Sequence, residues 1–111
     1  MSRKLVLAIA MAAALSVSAF AADNAKNGSG SQELHQSMMS GMEKMHDMKM
    51  SGDTDKDFAS MMIAHHEQAI EMSKAVLNHG DDAKVQKKAR EIIAASEKDI
   101  RDLKKWQTEH H

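Results

Sequence analysis

Thr54 to Gly80 reads TDKDFASMMIAHHEQAIEMSKAVLNHG, and this stretch decides the fold class. Thr54 stands three residues before Asp57, a capping-box-like helix start, and Gly80 is placed to stop the run after about Asn78. Between these marks apolar residues recur at steps of three and four, without Pro and without the β-branched clusters that favour strands. At about 100° per residue, Phe58, Met61, Met62, His65, Ala69, Met72 and Val76 share one arc, the expected inward face. His66 lies at the edge of that arc near Ile70 and Leu77. Adjacent helical side chains diverge, so His65 is expected to look inward and His66 to flank it.

A helical block lies on either side of this one, set off by Ser51-Gly52-Asp53 and Gly80-Asp81-Asp82. The first, about Gln32 to Met50, carries Leu34, Met38, Met45 and Met48 as an expected core stripe. Beside it His35, Met39, Met42, His46 and Met50 follow steps of four, three, four and four, a second stripe along one side of the helix. Gly41 lowers the intrinsic stability of this block, which is expected to order on docking or on binding metal. The third block, about Asp82 to Glu109, places Val85, Ala89, Ile92, Ser96, Ile100, Leu103 and Trp106 on one face, with Asp81 or Asp82 as N-cap and mixed charges opposite. The expected fold class is all-α, with three helices.

At the chain start, Arg3 and Lys4 precede an apolar run from Leu5 to Val17 and then Ala19-Phe20-Ala21, the form of a secretory signal peptide cut after Ala21. The run is shorter than the roughly 20 residues of a spanning helix, and no Cys follows to carry a lipid. The expected organisation is a signal peptide at 1–21, a polar disordered lead-in at 22–31 and a helical domain at 32–111, exported to the periplasm or beyond as a soluble protein. Loss of Arg3 and Lys4 leaves 13 of the 15 basic residues against 16 acidic ones. A mildly acidic chain without a basic stripe or aromatic platforms is a poor nucleic-acid binder, and stable membrane insertion is not expected.

Chemistry enters through sulfur and imidazole. The chain has no Cys, and with Met1 and Met11 in the leader the remainder holds nine of the 11 Met but only three Leu, at 34, 77 and 103. Leu is ordinarily among the commonest residues and Met a gap-filler, so the inversion is informative. A thioether stays unprotonated at any pH and does not form disulfides, which suits a sulfur ligand outside the cytoplasm. Met with His and without Cys suits Cu(I), with Ag(I) or Cu(II) as alternatives. The expected principal site is Met62, His65 and His66 with one or two methionines from the first block, supported by Met61 and Met72. Weaker sites are expected along His35, Met39, Met42 and His46, with Met38 and Met45 divided between core and ligand roles. A Met stripe is more often core than cofactor site, and a buried His more often satisfied by a carboxylate. His79 reads as a C-terminal cap, and His110-His111 as a tail or a mobile ligand pair.

Asp57-Phe58, Met62-Ile63, His65-His66-Glu67-Gln68-Ala69-Ile70 and Met72, followed by Ile92-Ile93-Ala94-Ala95 and Trp106, resemble the domain-of-unknown-function 305 family from about Asp55 to Trp106. The resemblance implies a ferritin-like antiparallel helical bundle and, for Met- and His-rich exported members, periplasmic copper binding and copper tolerance. The chain departs from the family pattern at Ala64, where Pro is common, and at Leu103, where Met is common, so the third helix is expected to supply core and no ligand. The partners implied are copper ions and another periplasmic copper protein, with a homodimer as a further expectation.

Two other function classes stand beside this one. A ferritin-like di-iron enzyme needs two Glu-x-x-His motifs, and the chain offers one, Glu43 to His46. A zinc protease needs His-Glu-x-x-His, whereas His66-Glu67 is followed at the required position by Ile70. No enzyme is therefore expected. A metal-free module gripping a partner through an adaptable Met-rich surface is the stronger alternative.

Overall fold

The computed structural model describes the backbone of residues 16–111 and side chains from Gly28 onward. The first fifteen residues of the expected signal peptide lie outside that range. Three helices follow one another, α1 at Ser16–His46, α2 at Thr54–His79 and α3 at Ala83–Glu109, with no strand among the described residues. The chain is all-α.

The ends of α2 show how local chemistry sets boundaries. Asp53 is the N-cap, its carboxylate accepting from the Lys56 backbone N–H at 3.0 Å, so the cap falls one residue ahead of Thr54. Asp57 turns back to the connection instead of closing a capping box. Its carboxylate accepts from the Ser51 N–H and the Ser51 hydroxyl, both at 2.8 Å, and from the Gly52 N–H at 3.2 Å. Gly52 supplies the positive φ of 88° that this turn requires. At the far end the Gly80 N–H donates to the Val76 carbonyl at 2.7 Å. Gly80 has an extended backbone; what excludes a side chain there is Val76 O, 2.6 Å from where a Cβ would stand. Asp82 caps α3 by accepting from the Val85 N–H at 2.9 Å, and the Gln86 amide donates to the Gly80 carbonyl at 2.6 Å.

α1 differs from expectation at both ends. Its helical backbone runs through 22–31, the stretch read as a disordered lead-in, and it stops at His46, so Met48 and Met50 lie in the connection. Packing explains part of the extension: Gly30 is buried against the His79 side chain, where a Cβ would come within 2.5 Å of the His79 Cβ. Glu33, one turn on, reaches His79 Nε2 at 2.7 Å. Tertiary contact overrides weak local propensity.

α2 is the middle helix. It packs against α1 on one side and α3 on the other, while α1 and α3 make no backbone approach to each other among the described residues. Both neighbours run antiparallel to it, as shown by Glu33 pairing with His79 and Lys44 with Glu67, and by Gln107 bonding Ser60 while Asp99 faces His66. The buried residues are mostly small: Gly30 of α1, Ala59, Ile63, Ala64, Ser73 and Ala75 of α2 and Ala89 and Ser96 of α3, and among the described residues no large side chain is fully buried. Ala and Ser at these seams let the backbones come close.

This arrangement corrects the expected core. Phe58 is 59% exposed and His65 is exposed, while the other members of the predicted arc on α2 are half-buried. An amphipathic arc is read as facing one neighbour, but α2 has two, and its narrow Ala-rich sides are the buried ones. The apolar arc between them is left open. Met38 and Val85, both expected in the core, are likewise exposed.

Candidate metal centre

The two histidines of α2 diverge in the opposite sense to that predicted. His66 is the more enclosed, its side chain 19% exposed and its Nε2 3.5 Å from an Asp99 carboxylate oxygen of α3. His65 is the outer one, on the open arc. Their ring centroids are 6.0 Å apart with the planes at 70°. The expected inward role of His65 rested on a single buried face, whereas α3 is reached from the side of α2 that carries His66.

What lies near His65 follows from one ion pair. Lys44 Nζ is 2.8 Å from Glu67 Oε2 and marks one side of the α1–α2 seam. Helical residues two apart point about 200° apart, so Met42 and His65, each two residues before a member of that pair, lie on the other side. Antiparallel register puts them about one helical turn apart along the axes. Met61 precedes His65 by one turn, and half-buried Met45 sits at the seam at the same level. By the same register Met72, two turns further along α2, stands opposite Met38; the Met38 carbonyl accepts from the Gln68 amide at 3.2 Å.

The predicted donors therefore fall into separate groups. By this register His65, Met61, Met42 and Met45 fall on the side of the α1–α2 seam away from Lys44 and Glu67, Met72 and Met38 lie further along the same side, Met62 lies on the open arc, and His66 faces Asp99 of α3. His35, Met39 and His46 are exposed along α1. The donor set fits a soft ion: Cu(I) accepts two or three ligands, and an exposed imidazole flanked by thioethers supplies them. Among the described residues no three His, Asp or Glu side chains are grouped to hold an ion.

Two carboxylate partners of histidines were not legible in the sequence. Asp99 beside His66 and Glu33 beside His79 depend on inter-helix register, which composition does not reveal. At the chain end His110 stacks on Trp106 with centroids 4.5 Å apart and planes at 13°, and its Nδ1 lies 2.8 Å from the Trp106 carbonyl. His111 Nδ1 is 2.7 Å from the Thr108 carbonyl. The terminal pair is thus held by α3, through i−4 for His110 and i−3 for His111, relations visible in the sequence once the helix is known to run to Glu109.

No helix among the described residues is long and apolar enough to cross a membrane. No curated protein matches the chain. A family model described as "Domain of unknown function (DUF305)" matches residues 9–107, and the chain belongs to that family.

Proposed function

We propose that this chain is an exported Cu(I)-binding protein that holds copper for tolerance, storage or transfer, with Ag(I) as a mimic. The observation that carries the reading is the side of the α1–α2 seam shared by His65, Met61 and Met42, with Met45 beside them. A soft ion bound there would tie α1 to α2 through ligands from both. His66 is then a positioning residue, held by Asp99 at the neighbouring turn. The leader-like segment at 1–21 and the absence of Cys support a role outside the cytoplasm, where thioethers keep their ligating form.

Competition against a chromophoric Cu(I) chelator under anaerobic conditions tests it. Wild-type apo-protein is expected to withdraw Cu(I), His65→Ala and the double change Met42→Leu with Met45→Leu to weaken retention at least tenfold, and His66→Ala to weaken it less. An apo-protein that cannot compete overturns the assignment. A metal-free interaction module is the second reading, favoured by the uncovered apolar arc of α2; methionine-to-leucine changes would leave that surface working.

A further inference from the structure

The open arc of α2 has a regular spacing. Phe58, Met62, His65, Ala69, Met72 and Val76 follow steps of four, three, four, three and four, the spacing of a coiled-coil seam, and this seam has no helix over it. The order is also symmetric about the turn at Glu67. A twofold axis there exchanges Phe58 with Val76, Met62 with Met72 and His65 with Ala69, so the stripe is spaced to meet its own copy.

The two ends of the stripe differ in shape. At one end a groove of about 450 Å³ is open, lined by Leu34 of α1, Met72 and Val76 of α2 and Val85 and Ile92 of α3, with Lys84 and Lys88 at its rim. At the other, Phe58 projects as the most exposed large apolar side chain, with Asp55 beside it. Eighteen residues, five helical turns, separate Phe58 from Val76, so both sit on one line about 27 Å apart.

We propose that two copies of this chain pair face to face about that axis, α2 antiparallel to α2, each Phe58 entering the groove of the other copy. The charges agree with this occupant: Asp55 travels with Phe58 and meets Lys84 and Lys88 at the groove rim. Area agrees as well. Three helices side by side, each about 39 Å long and spaced about 9 Å apart, offer a face of roughly 1,000 Å², against the roughly 800 Å² per partner of a standard specific interface. The pairing needs no metal and stands whether or not the chain binds copper.

Sedimentation velocity on the exported protein, kept metal-free with chelator, reads the mass across a concentration series. A dimer is expected, and Phe58→Glu should raise its dissociation constant at least tenfold with helicity unchanged by circular dichroism. Asp55→Lys should weaken pairing, and adding Lys84→Glu with Lys88→Glu should restore it, a rescue available to a folded chain even if Phe58→Glu disturbs the monomer. Because the chain has no Cys, engineered thiols report the register: a Phe58→Cys copy mixed with a Val76→Cys copy should form a disulfide that Phe58→Cys alone does not. A monomer at every concentration overturns the proposal, including one that binds lipid vesicles instead. So does a dimer indifferent to both Phe58→Glu and the charge reversal.

Discussion

Asp57 governs the connection between α1 and α2. The Ser51 backbone N–H, then the Ser51 hydroxyl and the Gly52 N–H, hold its carboxyl below the ordinary value near 3.8. A carboxyl whose folded value is depressed contributes stability that is fully present above the unfolded value and lost as pH falls through the folded one. The turn is therefore expected to hold at neutral pH and to release only as pH falls through the depressed folded value, below 3.8, where protonation removes the acceptor. Asp57→Asn should lower the urea midpoint at pH 7 and flatten the acid limb of stability against pH; an acid limb identical to wild type would show that this carboxylate does not anchor the turn. Residue identities were legible at this scale, but directions were only partly so. Asp82 declared itself as a cap because capping acts within three residues. His65 and His66 exchanged roles because the answer depends on where α3 lies.

At the scale of the helix, glycine explains what propensity alone does not. Gly30 and Gly41 weaken α1 as an isolated helix, yet both sit at its seam with α2. A Cβ at Gly30 would come within 2.5 Å of the His79 Cβ, close to the backbone and unable to retreat. A Cβ at Gly41 would meet the Gln68 side chain, which can swing aside at the cost of its bond to the Met38 carbonyl, a loss of about 1 kcal/mol that offsets the gain in propensity. The two substitutions should therefore separate. Gly30→Ala gains about 1 kcal/mol of helix propensity and loses about 1–3 kcal/mol to overpacking, so a net loss of up to about 2 kcal/mol is expected in urea unfolding. Gly41→Ala should be close to neutral. If both behave alike, the seam at Gly30 is looser than its geometry indicates. Helix starts and stops were readable from caps and glycines, whereas the span of α1 was not, because its packing partner near Gly30 is His79, forty-nine residues away in sequence.

The whole molecule presents two unlike faces. One carries ion pairs such as Lys44 with Glu67 and Lys74 with Glu71; the other carries the methionines, His65, Phe58 and the groove. Helical class was legible from periodicity, while antiparallel order was expected from the family resemblance. The choice of buried side was not, since α2 shields Ala59, Ala64 and Ala75 between two neighbours and leaves Phe58 exposed and Met61, Met62 and Met72 only half-buried. The copper-binding and pairing readings both depend on that open face, and they are separable by experiment because one requires thioether chemistry and the other apolar shape.

Exposure of the methionines has a cost of its own wherever peroxide is met. Met38, Met39, Met42 and Met50 are each about half accessible, at 48%, 52%, 54% and 52%, whereas Met61, Met62 and Met72 are partly shielded. Dilute peroxide should convert the first four to sulfoxides ahead of the other three, as peptide mass spectrometry would resolve; equal rates at all seven would contradict the burial described above. A sulfoxide is polar and reversible by dedicated reductases, so oxidative bursts would progressively blunt this surface and enzymatic repair would restore it.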